Sequence, residues 1–135
     1  MTIKEVCEQF SLTPDTLRYY ERAGVIPQVS RTPGGQRYYS EEDISWVNNA
    51  VCMRNAGMSV EAIAEYVRLY RQGDGTLAQR RDLLCRERNR LRERMAELEG
   101  AMRLLDYKIS RYEAAIETGV LSWDDPPEET NGGEA

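Results

Sequence analysis

Histidine is absent from all 135 residues. That removes the commonest metal ligand and the commonest general base at once. Cysteine is scarce: Cys7, Cys52 and Cys85 form an odd set with no CxxC spacing. Such a set suggests free thiols in a reducing cytosol, not a disulfide scaffold. No apolar run approaches the ~20 residues that cross a bilayer. The opening stretch, MTIKEVCEQF, lacks the basic segment and apolar run of a secretory signal. There is no nucleophile–base pair and no phosphate-cradling glycine loop. The expectation is a cytoplasmic protein that is not an enzyme, with no metal site, no cofactor and no membrane segment.

Positive charge is also in the minority. Eighteen Lys and Arg face 23 Asp and Glu, a formal net charge of −5. Much of the acid sits at the end, in Asp124, Asp125, Glu128, Glu129 and Glu134, a stretch without Lys or Arg. The first half carries Arg18, Arg22, Arg31, Arg37 and Arg54. Global charge therefore decides little, because binding to a nucleic acid needs only a local basic surface.

The first 72 residues read as four short helices and a hairpin. Thr2 caps a helix over 3–10, in which Ile3, Val6 and Phe10 recur at helical spacing. Thr13, Pro14 and Asp15 open a second helix that Gly24 stops. Two short helices with a tight turn make a helix-turn-helix. Residues 25–39, VIPQVSRTPGGQRYY, place aromatic and apolar ends around a Pro-Gly-Gly tip, the pattern of a β-hairpin. Ser40 caps a third helix with Ile44, Val47, Val51 and Cys52 on one flank, and Gly57 ends it. Ser59 caps a fourth over about 60–72, with Ile63, Tyr66, Val67 and Tyr70 as its expected buried stripe.

Residues 73–75, Gly-Asp-Gly, read as a hinge. From 76 to 117 no proline occurs. Leu77, Leu84, Leu91, Leu98, Leu105 and Tyr112 are spaced by seven, and so are Arg81, Arg88, Met95, Met102, Ile109 and Ile116. These are the two seam positions of a heptad repeat, polar at Arg81 and Arg88 and apolar from Leu91 onward. One helix with a single apolar stripe cannot bury it alone. The simplest partner is a second copy, so Leu91, Met95, Leu98, Met102, Leu105 and Ile109 are expected at a homodimer interface. Residues 118–135, rich in acid, Pro and Gly, read as a disordered tail. Trp123 could dock locally.

Chemistry concentrates in two places. On the second helix Leu17 and Tyr20 point one way, and Asp15, Arg18, Tyr19 and Arg22 the other. Arginine pairs bidentately with phosphate or guanine, and tyrosine packs on the sugar-phosphate backbone. The same face could instead be a solvated helix with incidental arginines. In the hairpin, Arg31, Arg37, Tyr38 and Tyr39 flank the glycine tip. A protruding basic hairpin beside a helix-turn-helix suits a wing that reaches phosphates. Alternation puts one of Tyr38 and Tyr39 inward.

Three stretches, TPDTLRYYERAGVI, GGQRYYSEEDI and MRNAGMSVEAI, resemble the MerR family of transcriptional regulators in order and spacing. The resemblance spans about the first 72 residues, and the long helix follows where that family places it. It implies a mainly α fold: a winged helix-turn-helix head, then a long helix in an antiparallel dimeric coiled coil. It implies promoter DNA and RNA polymerase as partners. Thr16, Arg18, Tyr19 and Arg22 on the recognition helix, Arg37 and Tyr38 on the first wing and Arg54 on the second wing become the expected DNA contacts. Members of the family bend and untwist a promoter when activated, a deformation of several kcal/mol that contacts at two half-sites can offset. The rival class is a coiled-coil adaptor whose head binds protein.

For the input signal, metal-sensing relatives pair a thiol at the start of the long helix with thiols beyond it. Cys85 lies near that start, but no Cys or His follows it, and a lone thiolate is not a metal site. The chain is similar to the NmlR/AdhR-type subgroup, which implies electrophile or aldehyde sensing through Cys52. The alternative reading makes Cys52 a small core residue and the signal a non-thiol small molecule. Cys7, beside the core positions of the first helix, reads as structural.

Overall fold

A computed structural model of the protein describes residues 1–123. The chain divides into two compact units, the first ending at Leu91 and the second starting at Arg92. Five α-helices account for most of it: α1 (Ile3–Phe10), α2 (Pro14–Ala23), α3 (Glu41–Asn55), α4 (Val60–Arg71) and α5 (Leu77–Thr118).

Each of the four short helices begins at a hydroxyl that satisfies a backbone N–H left free by the first turn. Thr2 accepts from the amide of Glu5, and Glu5 returns a bond to Thr2, closing a capping box. Ser40 and Asp43 do the same for α3. Thr13 caps α2 ahead of Pro14, and Ser59 caps α4. Gly24 ends α2 at φ +81°, a left-handed conformation that costs glycine little.

The first unit closes around Val6, Leu17, Val25, Ile26, Tyr39, Val47 and Ile63, all but removed from water. At roughly 1.5–3 kcal/mol for each large aliphatic side chain, this cluster is the main favourable term of the head. Tyr39 is 1% exposed and Tyr38 50%, so the alternation at the end of the hairpin resolves with Tyr39 inward. The Tyr39 hydroxyl is buried with no hydrogen-bond partner among the described residues. Its ring carries the position, and burial pushes its pKa up.

Several expectations are corrected. The hairpin has no strand ladder; it is held by isolated bridges between Arg31 and Arg37 and between Thr2 and Tyr38. Its arms are tied instead by turn bonds and side chains. Cys52 does not lie on the packed flank of α3. Val47 and Ala50 are the buried residues there, and Cys52 is exposed. On α4, Ile63 and Val67 are buried but Tyr66 is only half-buried and Tyr70 is 48% exposed, while Leu69 is buried. The reason is the turn that follows. Thr76, itself buried, donates its hydroxyl to the carbonyl of Leu69 at 2.6 Å. That draws residues 74–76, a 3-10 turn, over the Leu69 side of α4.

Residues 73–75, read from the sequence as a hinge, are thus part of a tied corner. Arg80 adds bonds to the Gly73 carbonyl and the Thr76 hydroxyl, and its guanidinium lies over the Tyr70 ring, which meets Trp46 edge-on. Leu83, on the second turn of α5, is 2% exposed and belongs to the core of the head. In the second unit α5 ends at Thr118 and Gly119 reverses the chain at φ +83°. Trp123 packs against Tyr107, Lys108 and Tyr112, and Arg111 donates to the Ser122 carbonyl. The expected disordered tail over 118–135 is therefore ordered through Trp123; the rest lies outside the described residues.

Candidate nucleic-acid interface

The expected contact residues come from three parts of the head. On α2, Leu17 and Tyr20 are buried, which turns Asp15, Arg18, Tyr19 and Arg22 to solvent. Arg18 pairs with Asp15 at 3.2 Å, with the Asp15 side chain 97% exposed. Such a pair is worth little and opens readily for a stronger anion. Arg22 stands over the Tyr19 ring, 5.6 Å from its centre, so the two form one cationic, flat-sided unit. Thr16 is half-buried, and both its amide and its hydroxyl engage the Thr13 cap. Its first task is therefore to start the helix.

The wing stands beside this face. Its tip is a turn in which the Gly35 amide donates to the Thr32 carbonyl, with Pro33 and Gly34 between them. Arg31 donates to the Gly35 carbonyl, and Tyr38 is exposed on the returning arm. An open cleft of about 360 Å³ lies between the start of α1, α2 and the tip. Arg18, Arg31 and Arg37 line it together with Thr2 and Gln36, and no carboxylate does. Three guanidiniums around one cleft make a local basic surface inside an acidic chain, with the geometry to pair with an anion such as a phosphodiester.

Arg37 differs from the other arginines. Its Nε donates to Glu21 Oε1 at 2.7 Å, with side chains 22% and 8% exposed. The second oxygen of Glu21 accepts the amide of Val29 at 2.9 Å. One carboxylate on α2 therefore ties down both arms of the wing, Val29 on one and Arg37 on the other. Burial alone would raise the Glu21 pKa. The bonds from Arg37 and Val29 and the charges of Arg37 and Arg31 outweigh it and hold the carboxyl below its ordinary value. Sequence reasoning missed Glu21. The available signal was an acid placed between buried Tyr20 and exposed Arg22, on the border of the two faces.

The second wing is the α3–α4 turn. Arg54 is exposed but donates to the Met58 carbonyl at 2.6 Å, bracing that turn. Cys52 stands one turn earlier on the solvent side. Cys7 is buried, and burial raises its pKa, offset in part by the charge of Arg18. Among the described residues no group of His, Cys, Asp and Glu could hold a metal ion. No helix among them is long and apolar enough to cross a membrane.

Comparison with known proteins gives a consistent result. Residues 1–69 match the model of the MerR HTH family regulatory proteins, and residues 47–107 match that of the MerR DNA-binding region. The chain is 53% identical over 93 residues to the HTH-type transcriptional regulator AdhR of Bacillus subtilis, covering 69% of this chain and 66% of that protein. Its fold matches a crystal structure of a MerR family transcriptional regulator from Listeria monocytogenes, with a TM-score of 0.82 and 38% identity, over 88% of this chain and 90% of that one. It also matches HiNmlR, a MerR family regulator lacking the sensor domain, solved bound to promoter DNA. There the TM-score is 0.77 and identity 29%, over 89% of this chain and 95% of that one.

Proposed function

The chain belongs to the MerR family of helix-turn-helix regulators, and from that premise we propose that it binds promoter DNA as a homodimer in the cytoplasm and distorts it to control RNA polymerase. The observation that carries this reading is the arginine-lined cleft beside the exposed face of α2, with the wing latched to that helix through Glu21. A recognition helix and a wing fixed to each other can enter the major groove and grip the adjacent phosphates as one body. Arg18, Tyr19, Arg22 and Tyr38 are the direct contacts. Arg37 contributes from the latch, Arg54 from the second wing, and Thr16 through the cap. Two heads joined through the exposed seam of α5 read two half-sites, and contacts at both ends offset the bend imposed between them. Electrophoretic mobility shifts with the gene's own upstream region test this. The account expects a discrete complex that an unrelated duplex does not compete away; equal binding to both would contradict a promoter-specific regulator, and no complex with either favours the adaptor reading.

For the signal, exposure of Cys52 favours a thiol that an electrophile such as an aldehyde can reach. It does not favour a trigger in which the modified residue repacks α3 against α4, because the side chain is not between them. Cys52→Ser should bind the upstream duplex as the parent does and lose induction by electrophiles in a reporter strain. Undiminished induction would leave a non-thiol small molecule as the signal.

A further inference from the structure

The exposed seam of α5 has a polar end and an apolar end, and its charges discriminate among ways of pairing it. Leu91, Met95, Leu98, Met102, Leu105, Ile109 and Ile116 are all between 38% and 80% exposed. The other end carries Arg81 and Arg88 at the same repeat positions. Within the chain, Arg81 pairs with its neighbour Asp82, itself 64% exposed. Two copies in parallel would set Arg81 against Arg81 and Arg88 against Arg88, like charges across a seam that excludes water.

An antiparallel dimeric coiled coil is what membership of the MerR family implies for α5; within it we propose the register that sets Met95 opposite the partner's Leu98, so that Arg81 meets the partner's Tyr112 and the partner's Glu113, and Arg88 meets the partner's Asp106. This deepens the dimer reading above and rests on it. Flanking positions select the register. With Met95 level with the partner's Leu98, Arg92 faces the partner's Glu99, while Glu87, level with the partner's Lys108, is 9% exposed and already held by Arg90. A slip of one heptad toward the carboxyl end opposes Arg94 to the partner's Lys108 and brings the two Glu99 side chains together. A slip the other way opposes the two copies of Arg92 and the two copies of Arg94. Both slipped registers stack like charges; the proposed one does not.

The same register gives Tyr112 a purpose at a seam otherwise made of aliphatic side chains and methionine. Trp123 lies edge-on to Tyr112 at 5.8 Å and remains 43% exposed. Together the two rings offer an aromatic seat beside Glu113. A guanidinium arriving from the other copy can stack on a ring and pair with a carboxylate at once. Each dimer would hold two such seats, one near each end of the coil.

Native Cys85 supplies the test, because the register sets it level with the partner's Asp106. In full-length protein carrying Cys52→Ser to remove the exposed thiol, Asp106→Cys should form covalent dimers on mild oxidation, and adding Cys85→Ser should abolish them. Glu113→Cys and Glu99→Cys, one heptad to either side, should not crosslink above the parent. Crosslinking by either of those instead, or a sedimenting Asp106→Cys dimer that will not crosslink, overturns the proposal. A monomeric parent overturns the dimer reading itself. As a second measure, Glu113→Arg should weaken dimerisation by about 3- to 10-fold, and Arg81→Glu added to it should restore most of the loss. A double variant no tighter than the single one also counts against the pairing.

Discussion

At the residue scale the head depends on a carboxylate in a place where its charge looks wrong. Glu21 adds negative charge beside the surface proposed to meet phosphates, so electrostatics alone predicts that removing it tightens DNA binding. The latch predicts the opposite. Glu21→Ala frees both arms of the wing and leaves Arg37 without its partner. It should weaken specific binding by about 10-fold, roughly 1.4 kcal/mol, as measured by anisotropy, with the dimer intact by sedimentation. Arg37→Ala should weaken binding similarly. The latch also has a pH sense. Because the folded-state pKa of Glu21 lies below its ordinary value of 4.5, its contribution is complete above that value and is lost as pH falls through the lowered one. Protection of the Val29 amide, its exchange compared with the free-chain rate at the same pH, should therefore fall in acid in the parent and show no such step in Glu21→Gln. Tyr39 makes a converse case. Its buried hydroxyl bonds to nothing among the described residues, so Tyr39→Phe should leave the head as stable or raise it by about 1 kcal/mol in thermal melts.

At the element scale, helices were legible where a local rule acts alone. Thr2, Thr13, Ser40 and Ser59 each mark a start, and Gly24 marks a stop, because capping depends on residues within one turn. The corner between α4 and α5 was less legible. Its geometry comes from Thr76 reaching back to Leu69 and from Arg80 closing over Gly73 and Tyr70, contacts that no periodicity announces. The same holds for Cys52. Helical spacing placed it with Val51, but a neighbour one residue away is turned by 100°, enough to move a side chain from a packed flank to water. On the wing, Tyr38 and Tyr39 followed alternation even though the ladder that usually enforces it is reduced to single bridges. The heptad spacing read along α5 falls on side chains that stand exposed in the single chain, and the proposed seam yields a direct expectation. Leu98→Lys, which puts a charge at the centre of the apolar stretch, should convert dimers to monomers in sedimentation velocity while the head keeps its own melting transition.

At the scale of the whole molecule, an acidic chain proposed to bind a polyanion distributes its charge by task. Arg18, Arg31 and Arg37 converge on one cleft of the head, while acid accumulates after α5. Under the proposed function, pairing two heads through the long seam doubles the grip and offsets the cost of bending DNA. The salt dependence of affinity for the gene's own upstream duplex tests this most directly, followed by anisotropy from low to physiological salt. The three cleft arginines in each of two heads, at roughly 0.9 counterions released per neutralised phosphate, set a log–log slope of at least about −5, steeper where Arg22 and Arg54 also meet phosphates, with saturation at one dimer per duplex. A slope near zero, or saturation at one monomer per duplex, would contradict the account.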